Sequence, residues 1–548
     1  MPADLILQNA VVHTVAGGRT ADALAIEAGR IVAVGTGHDV ESLHGPGTRV
    51  VDLGGAPVLP GFVDAHCHLG LSGLGTTQCD LEGSRGADEH LRRIAAYREA
   101  HPDREWVVGG GWSMNEFPGG LPTAAALDAV VPDRPAVLTN RDYHGAWVNS
   151  RALELAGITA ATPDPAGGRI ERDAHGAPLG TLQEQAMHLV LDRAPAPTHA
   201  ERVAGIRAGQ AYYHRLGITA CQDALVDADW QRAYEDLASS GELGLRVRGA
   251  LEWEPGRGEE QLPELVERRA SGTVGRLACG HVKFFHDGVV ENRTAAMLDP
   301  YLDGGGRPTA EYGMDMYARA DLERFVRLCD AAGFGVHIHT IGDRAVRESL
   351  DALEAAIRRN GRRDARHQLA HVQFAHPDDL PRFAALGVIA NVTPLWARLE
   401  EYVTVLTVPF VSERAAAGMY PFASILRAGG ALAFGSDWSV STPDPLHQLA
   451  TAVARVDPEG SASEPLLAGE RLDLDAAIAA QTIGAAHACA LDPVTGSIEP
   501  GKLGDLVVLD RDLHGLDPRD YLSARVLATL VEGEVVYTAP DSELLLST

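Results

Sequence analysis

His66 and His68 are spaced so that both could bind one metal ion. They end the apolar run PGFVDAHCH, which has the composition of a buried β-strand. Residues i and i+2 of a strand point to the same face, so the two imidazoles would be presented together. Imidazole nitrogens are common ligands of zinc and related ions. The motif therefore predicts part of a metal site.

Further residues of ligand type lie near the ends of later apolar runs. They are Lys283, His339, His371 and Asp437. Each alone has an ordinary explanation, and an aspartate after a strand is often only a helix N-cap. If these runs are the fourth, fifth, sixth and eighth strands of one barrel, the residues near their ends predict a metal centre at the mouth of that barrel.

Lys283 is one of two lysines among 548 residues, and it lies in the strand-like run GHVKFFHDG. A neutral lysine amine can react with CO₂ to give an anionic carbamate, whose two oxygens can bridge two cations. Arginine stays protonated and can neither do this nor bind a metal. The alternative is an ordinary ammonium that pairs with Asp287 or with a substrate carboxylate. We favour the bridge because of the other ligands.

This interpretation predicts two divalent metal ions, with zinc expected, and carboxylation of Lys283. One ion would be bound by His66, His68 and Asp437, and the other by His339 and His371. The carboxylated Lys283 would bind both ions. The nucleophile would be a metal-bound hydroxide. Asp437 would take its proton and pass it to the leaving nitrogen, unless it is a ligand only. His144, in DYHGAWVN, would stabilise the oxyanion or hold the substrate; a structural histidine is the alternative.

Aromatic residues near the strand ends and in a long inserted segment are candidates for substrate binding. They are Trp112, Phe285, Trp396 and Trp438. Together they would form an apolar pocket for an aryl or alkyl amide, although core packing is the more common role of such side chains.

The elements that must position these residues follow a repeating pattern. Eight apolar runs, most of them followed by a helical pattern, predict an α/β fold with a (β/α)₈ barrel whose active site lies at the carboxyl ends of the strands. The runs are PGFVDAHCH, GITACQDA, LRVRGALEW, GHVKFFHDG, FGVHIHTIG, HQLAHVQF, GVIANVTPLW and ALAFGSDWSV.

Two further regions flank or interrupt this barrel, which is predicted to comprise residues 60–74 and 200–491. Short strand patterns at both ends of the chain are too few to form separate cores, so residues 1–59 and 492–548 are predicted to form one small β-sandwich. About 130 residues separate the first two barrel strands, far more than such a connection needs. Residues 75–199 are therefore predicted to be an insertion, or lid, on the catalytic face.

Composition excludes several classes of partner. The formal net charge of −28 argues against non-specific nucleic-acid binding. The cysteines show no disulfide pattern, and neither a signal peptide nor a long apolar run is apparent, so we expect no membrane association and a cytoplasmic protein. We expect a small-molecule substrate and a homodimer.

The motifs PGFVDAHCH, VKFFHDG, VHIHTIGDRAV, LAHVQ and FGSDWSV resemble the amidohydrolase superfamily. The inserted segment, with DYHGAWVNSRALELAGI, is similar to the YtcJ-like branch (amidohydrolase family 3), which includes N-substituted formamide deformylases. The resemblance covers almost the whole chain. It implies the ligand set His66, His68, carboxylated Lys283, His339, His371 and Asp437. Glu291 differs from the small residue that this branch often has at its position.

The function predicted from these observations is hydrolysis of a carbon–nitrogen bond in an amide or formamide. Two alternatives stay open: a mononuclear aminohydrolase that deaminates a heterocycle, or a hydrolase of cyclic amides. A third, a metal-binding protein without catalytic activity, is disfavoured because all the ligands are present. Metal stoichiometry and a test for turnover distinguish among these hypotheses.

Overall fold

A computed structural model describes residues 2–18, 20–460, 463–540 and 542. Among these residues, eight parallel strands follow one another in chain order around a barrel. They are β1 (Phe62–Cys67), β2 (Ile218–Val226), β3 (Arg246–Glu252), β4 (Leu277–Phe285), β5 (Gly335–Thr340), β6 (Gln368–His371), β7 (Ile389–Val392) and β8 (Ala431–Phe434). Each of the eight apolar runs overlaps one of them.

Helices connect these strands on the outside of the barrel. In chain order the main ones are His199–Arg215, Ala228–Ser239, Leu262–Ser271, Arg319–Ala331, Asp343–Asn360, Leu380–Leu386, Phe422–Arg427, Pro445–Ala454 and Leu474–Ala479. Strands β1, β5, β6 and β7 are buried along their whole length, which explains why they read as continuous apolar runs and not as alternating ones. The predicted (β/α)₈ architecture is confirmed.

The barrel is nearly closed where β8 approaches β1. The backbone amide of Asp437, just beyond β8, donates to the carbonyl of His66 at 2.7 Å. Gly435 permits this approach, because a Cβ there would lie 2.5 Å from the Cβ of His66. The first and the last ligand-bearing segments are therefore neighbours.

Strands from both ends of the chain form two further sheets. One contains Glu534–Thr538, Val526–Val531, Leu506–Leu509, Pro57–Pro60, Val11–His13 and Thr20–Ala21, in that order. The other contains Arg30–Gly35, Ala23–Glu27, Leu5–Gln8 and Arg49–Asp52. Apolar side chains from both sheets, among them Leu7, Ile26 and Leu530, share one core. Strands near both termini thus contribute side chains to one core.

The segment between β1 and β2 has its own sheet. Its strands are Gly168–Arg172, Pro178–Glu184, Gly145–Val148, Ala136–Asn140, Val107–Trp112 and Cys79–Asp80, in spatial order, with helices Gly86–Ala100 and Ser150–Ala156 beside them. This insertion meets the barrel mouth, since the hydroxyls of Tyr143 and Ser439 lie 2.7 Å apart. The domain limits given above stay predictions. Within the described residues, no helix is long and apolar enough to cross a membrane.

Candidate metal centre

His66, His68 and Asp437 form the tightest group of ligand atoms at the barrel mouth. One atom from each lies within 4.8 Å of the others. Asp437 Oδ1 is 3.4 Å from His66 Nε2 and 3.2 Å from His68 Nε2. The spacing of His66 and His68 across the end of β1 brings both rings to this carboxylate, so the structure places these predicted ligands together.

His371 and His339 extend this group along the neighbouring strands. The ring centroid of His371 lies 4.8 Å from that of His66 and 4.7 Å from that of His339. His371 Nδ1 is 3.9 Å from Asp437 Oδ2. His339 Nε2 lies 3.2 Å from the carbonyl oxygen of Gly288 and 3.8 Å from Asp287 Oδ1, so Nδ1 is the atom that His339 can offer to a metal.

The backbone at two of these positions is left-handed. His371 has φ of 72° and Asp437 has φ of 54°. Such a conformation costs about 1–3 kcal/mol at a residue other than glycine and persists only where the surrounding structure holds it. Both residues lie just where a barrel strand ends, so the strain accompanies the turn that directs each side chain into the mouth.

Lys283 is buried on β4 beside the same group. It aligns with His337 on β5, while Phe285 aligns with His339, so these side chains share one face of the sheet. The Lys283 ammonium lies 4.7 Å from the centroid of the Phe285 ring. Burial lowers the pKa of the Lys283 amine to about 8, although Asp437 and Asp223 act to raise it. An appreciable fraction of this lysine is therefore neutral near neutral pH.

The electrostatics of the cluster divide it into neutral bases and one anion. Burial, followed by the charge of Lys283, lowers the pKa of His66 to about 3. Burial likewise holds the pKa of His339 and His371 well below the usual range. Burial acts to raise the pKa of Asp437, but His66 and His68 outweigh it and hold that pKa well below its ordinary value. Neutral imidazoles and a carboxylate are the states that bind metals.

Several ligand atoms of this cluster are buried without hydrogen-bond partners among the described residues. They are His66 Nε2, His371 Nδ1 and Asp437 Oδ1. A buried polar atom without a partner is destabilising by about 1–3 kcal/mol, so such atoms at one point require an explanation. Divalent cations bound at these residues would give all three atoms a partner. The residues present therefore fit a metal.

His337 supports the cluster, although the sequence analysis gave it no role. Its Nε2 lies 2.9 Å from Nδ1 of His66, and it is fully buried. A hydrogen bond to the second nitrogen of a metal-binding histidine fixes both its tautomer and its orientation. A sequence pattern points to His337, because His337 and His339 repeat the spacing of His66 and His68 on one strand.

Asp64 links β1 to the segment that carries Asp437. It accepts hydrogen bonds from the hydroxyls of Tyr213 at 2.8 Å and Ser436 at 2.5 Å, and from the backbone amide of Ser436 at 2.9 Å. Burial raises the pKa of this carboxyl to about 6. Asp64 thus fixes the chain one residue before Asp437.

His144 reaches the centre from the insertion. Its ring centroid is 5.2 Å from that of His339. Its Nδ1 lies 2.8 Å from Glu184 Oε2, and the hydroxyl of Thr294 donates to the other oxygen of Glu184 at 2.5 Å. Burial acts to lower the pKa of His144, but Glu184 raises it to about 9, so this imidazole is cationic at neutral pH.

Two of the four aromatic candidates lie at the centre. Trp396 stacks on His371, with ring centroids 5.1 Å apart and planes 12° apart. The Phe285 ring lies 5.6 Å from that of His339. Both side chains are half-buried, so they retain surface for a ligand.

The other two aromatic candidates pack into protein cores, which corrects the prediction that they contact substrate. Trp112 has no exposed surface, packs against Phe117 and Trp147, and donates its indole N–H to the Leu138 carbonyl. Trp438 is 2% exposed and its ring contacts Tyr212 and Tyr213. Their position near strand ends was correct, but neither ring faces the mouth.

Asp287 lies next to His339, on the side of the ring that carries Nε2. Its carboxylate accepts hydrogen bonds from the backbone amides of Ile341, Gly342 and Ala296 at 2.8–3.0 Å. It therefore binds the amino end of the helix Asp343–Asn360 that follows His339. Burial raises its pKa to about 7. It forms no ion pair with Lys283, so the structure does not support pairing with Asp287, and pairing of the lysine with a substrate carboxylate stays an alternative.

Comparison with known proteins agrees with this geometry. The protein LONG AFTER FAR-RED 3 of Arabidopsis thaliana is 34% identical over 98% of this chain and 92% of its own length. The N-substituted formamide deformylase of Arthrobacter pascens is 31% identical over 98% of this chain and 99% of its own. A crystal structure of a metal-dependent hydrolase from Pyrococcus horikoshii OT3 is 25% identical, covers 94% of this chain and 99% of its own, and has a TM-score of 0.74. Residues 49–537 match the amidohydrolase family, and the chain therefore belongs to this family of hydrolases that act on carbon–nitrogen bonds.

Proposed function

We propose that this protein hydrolyses an amide-type carbon–nitrogen bond in a small, N-substituted substrate, using two divalent cations of the zinc class. The observation that carries this proposal is the convergence of His66, His68, His371 and Asp437 with buried, unpartnered ligand atoms. Bound at these residues, the cations would lower the pKa of a water molecule and polarise a substrate carbonyl.

Asp437 is proposed to be the general base. Its carboxylate lies between the histidines, and its low pKa keeps it ionised at neutral pH. It can take a proton from water as the carbonyl is attacked, and then give that proton to the leaving nitrogen. Transfer to nitrogen is required because an amide anion is a poor leaving group.

His144 is proposed to stabilise the charge that develops on the carbonyl oxygen. Glu184 engages its Nδ1 and keeps the ring cationic, so Nε2 is the nitrogen left to donate to the substrate. A fixed cationic donor in a site shielded from water interacts strongly with a developing oxyanion. The insertion would in this way supply one part of the catalytic apparatus to the barrel.

Lys283 is proposed to carry a carboxyl group that bridges the two cations. Among the described residues no ion pair joins its ammonium to a carboxylate, although the side chain is 1% exposed. Burial of a lysine without an anionic partner is unfavourable. Carbamate formation removes this cation, since the neutral amine adds to CO₂ with loss of one proton.

The substrate is proposed to carry an aryl or alkyl group. Trp396 and Phe285 offer half-buried aromatic surface directly beside His371 and His339. The similarity to an N-substituted formamide deformylase supports a small acyl group on the other side of the scissile bond.

The test is a hydrolysis screen of the zinc-reconstituted protein against matched sets of formamides, acetamides, cyclic ureas and aminopurines. We expect release of amine from acyclic amides. Ammonia released from an aminopurine, with no turnover of amides, would replace this proposal with a deaminase. Metal analysis alongside the screen should find two ions per chain.

A further inference from the structure

A cavity of about 630 Å³ lies between the insertion and the loops that follow the barrel strands. Its walls include Met114, Phe117 and Gln183 from the insertion, and Glu291 and Phe410 from the barrel loops. Pockets for small organic ligands in proteins are commonly about 300–1,000 Å³. None of the proposed metal ligands lines this cavity, and its walls include apolar surface.

The cavity is lined by more carboxylate side chains than basic ones. Arg169 Nε pairs with Glu171 Oε1 at 2.7 Å, and Arg293 Nη1 lies 3.6 Å from Glu311 Oε2. Both arginines therefore already have carboxylate partners. The remaining lining carboxylates are those of Glu291 and Glu401, and within the described residues neither forms an ion pair.

Glu291 is the more enclosed of these two carboxylates. Its Oε1 accepts one hydrogen bond, from the Thr407 hydroxyl at 2.7 Å. That hydroxyl has a single hydrogen and also lies 2.9 Å from the carbonyl of Tyr402. Burial raises the pKa of the Glu291 carboxyl to about 7, so its ionised form predominates above neutral pH. An ionised carboxylate offers about four acceptor positions, and most of these are available to a ligand. Glu401, in contrast, is exposed and accepts from the side chain of Asn115.

Gln183 contributes shape to the cavity wall but no acceptor directed at a ligand. The side chain is 2% exposed, and its Oε1 has no hydrogen-bond partner among the described residues. This oxygen lies beside Gly145, since a Cβ at that glycine would be 2.8 Å from Gln183 Oε1 and 3.4 Å from Asn140 Nδ2. The Glu291 carboxylate is therefore the acceptor on which a ligand with N–H donors would depend.

The cavity adjoins the catalytic centre through shared residues. Asn292, which lines it, donates from Nδ2 to the carbonyl of His144 at 3.1 Å. The His144 ring lies 5.2 Å from that of His339. Gln183 also precedes Glu184, the partner of His144. The wall of the cavity is therefore hydrogen-bonded to the backbone of His144, the residue that is proposed to face the substrate carbonyl.

We propose that this cavity binds an organic ammonium group with an apolar body, and that Glu291 is the residue that selects it. The inference rests on the proposed function in one respect: this group is the part of the substrate that lies away from the scissile bond. The apolar body would contact the side chains of Phe117, Phe410 and Met114. The Glu291 carboxylate would lie against the ammonium group and attract its charge. A half-buried carboxylate without a basic partner favours a cation over a neutral group of equal size.

Binding of two matched probes tests this without any need for turnover. The probes are 2-phenylethylammonium and 2-phenylethanol, which differ at the group that would meet Glu291. Their dissociation constants are measured by calorimetry on the zinc-loaded protein. We expect the ammonium to bind roughly tenfold to a hundredfold more tightly than the alcohol, as for hydrogen bonds to a charged group. Equal binding of the two probes, or no binding, overturns the proposal.

Two variants assign the preference to Glu291. Glu291→Gln keeps the shape of the side chain and should reduce the ammonium preference to about twofold or less, since the charged interaction is removed. Glu401→Gln is the matched control and should retain the preference, because that carboxylate is exposed. If the probe instead lost a proton and bound a metal ion as the neutral amine, Glu291→Gln would not weaken its binding, and that result also overturns the proposal.

Failure of this inference is distinguishable from failure of the proposed function. Hydrolysis of neutral amides without ammonium binding would leave the function standing and refute the role of Glu291. Ammonium binding that depends on Glu291, with no hydrolysis of any amide, would establish the cavity as a cation site and refute the function.

Discussion

His337 Nε2 and His66 Nδ1 lie 2.9 Å apart, so one proposed metal ligand is oriented by another buried histidine four strands along the barrel order. Burial holds the pKa of His337 well below its usual range. The neutral ring can therefore donate one hydrogen or accept one, and the pair fixes which nitrogen of His66 faces Asp437. His66 Nε2 is the atom that lies toward the carboxylate.

We expect His337→Phe to weaken metal binding without unfolding the protein. Loss of a partner that orients a metal ligand typically lowers metal affinity about 10–100-fold. Zinc affinity is measured by competition with a chelator. His281→Phe is the control, since His281 is buried on β4 but lies next to the carbonyl of Arg366. Equal loss in both variants would indicate a general packing defect and not an effect on His66.

Lys283→Arg should be inactive and depleted of metal, although the charge of the unmodified side chain is kept. Arginine cannot form the carbamate, because its guanidinium stays protonated. Lys283→Ala should recover part of its activity when a short-chain carboxylic acid is added to replace the bridge. An arginine variant with wild-type activity and two bound ions would contradict carboxylation.

Asp437→Asn should separate proton transfer from metal binding. Asparagine keeps the shape and one coordinating oxygen but cannot accept the proton, and a general base contributes about 10²–10⁴-fold to the rate. We expect kcat to fall by that amount while much of the zinc is retained. His66→Asn is the matched variant, and it should lose zinc and activity together. Zinc content and kcat are measured on the same samples, and near-normal kcat in Asp437→Asn would show that Asp437 is only a ligand.

The barrel and most of the cluster could be predicted from the sequence because of two physical regularities. Parallel strands buried on both faces are continuous apolar runs, and each of the eight runs overlaps a strand. Active-site residues of such barrels follow the carboxyl ends of the strands, so His66, His371 and Asp437 could be grouped before their distances were known.

Other features depend on side-chain direction or on distant partners, which spacing does not encode. Trp112 and Trp438 lie close to strand ends, yet their rings turn into the cores of the insertion and of the barrel wall. Glu184 pairs with His144 across two strands of the insertion sheet, 40 positions further along the chain. The roles of His337 and Asp64 likewise come from contacts between strands that are remote in sequence.

The His144–Glu184 pair should set the alkaline limit of activity. Glu184 raises the pKa of His144 to about 9 against the effect of burial, so the cationic form, which can donate to an oxyanion, is lost as the pH rises through about 9. We expect kcat/KM to fall along that limb. Glu184→Gln removes the anionic partner, so the limb should move to lower pH.

Because the folded pKa is the higher one, stability from this pair is complete below the unfolded histidine pKa of about 6.5 and is lost as the pH rises through about 9. Rate–pH profiles and melting temperatures of both proteins between pH 6 and 10 give the comparison, with Glu171→Gln as a control because Glu171 pairs with Arg169. An alkaline limb at the same pH in Glu184→Gln and wild type would show that His144 is not the group that titrates.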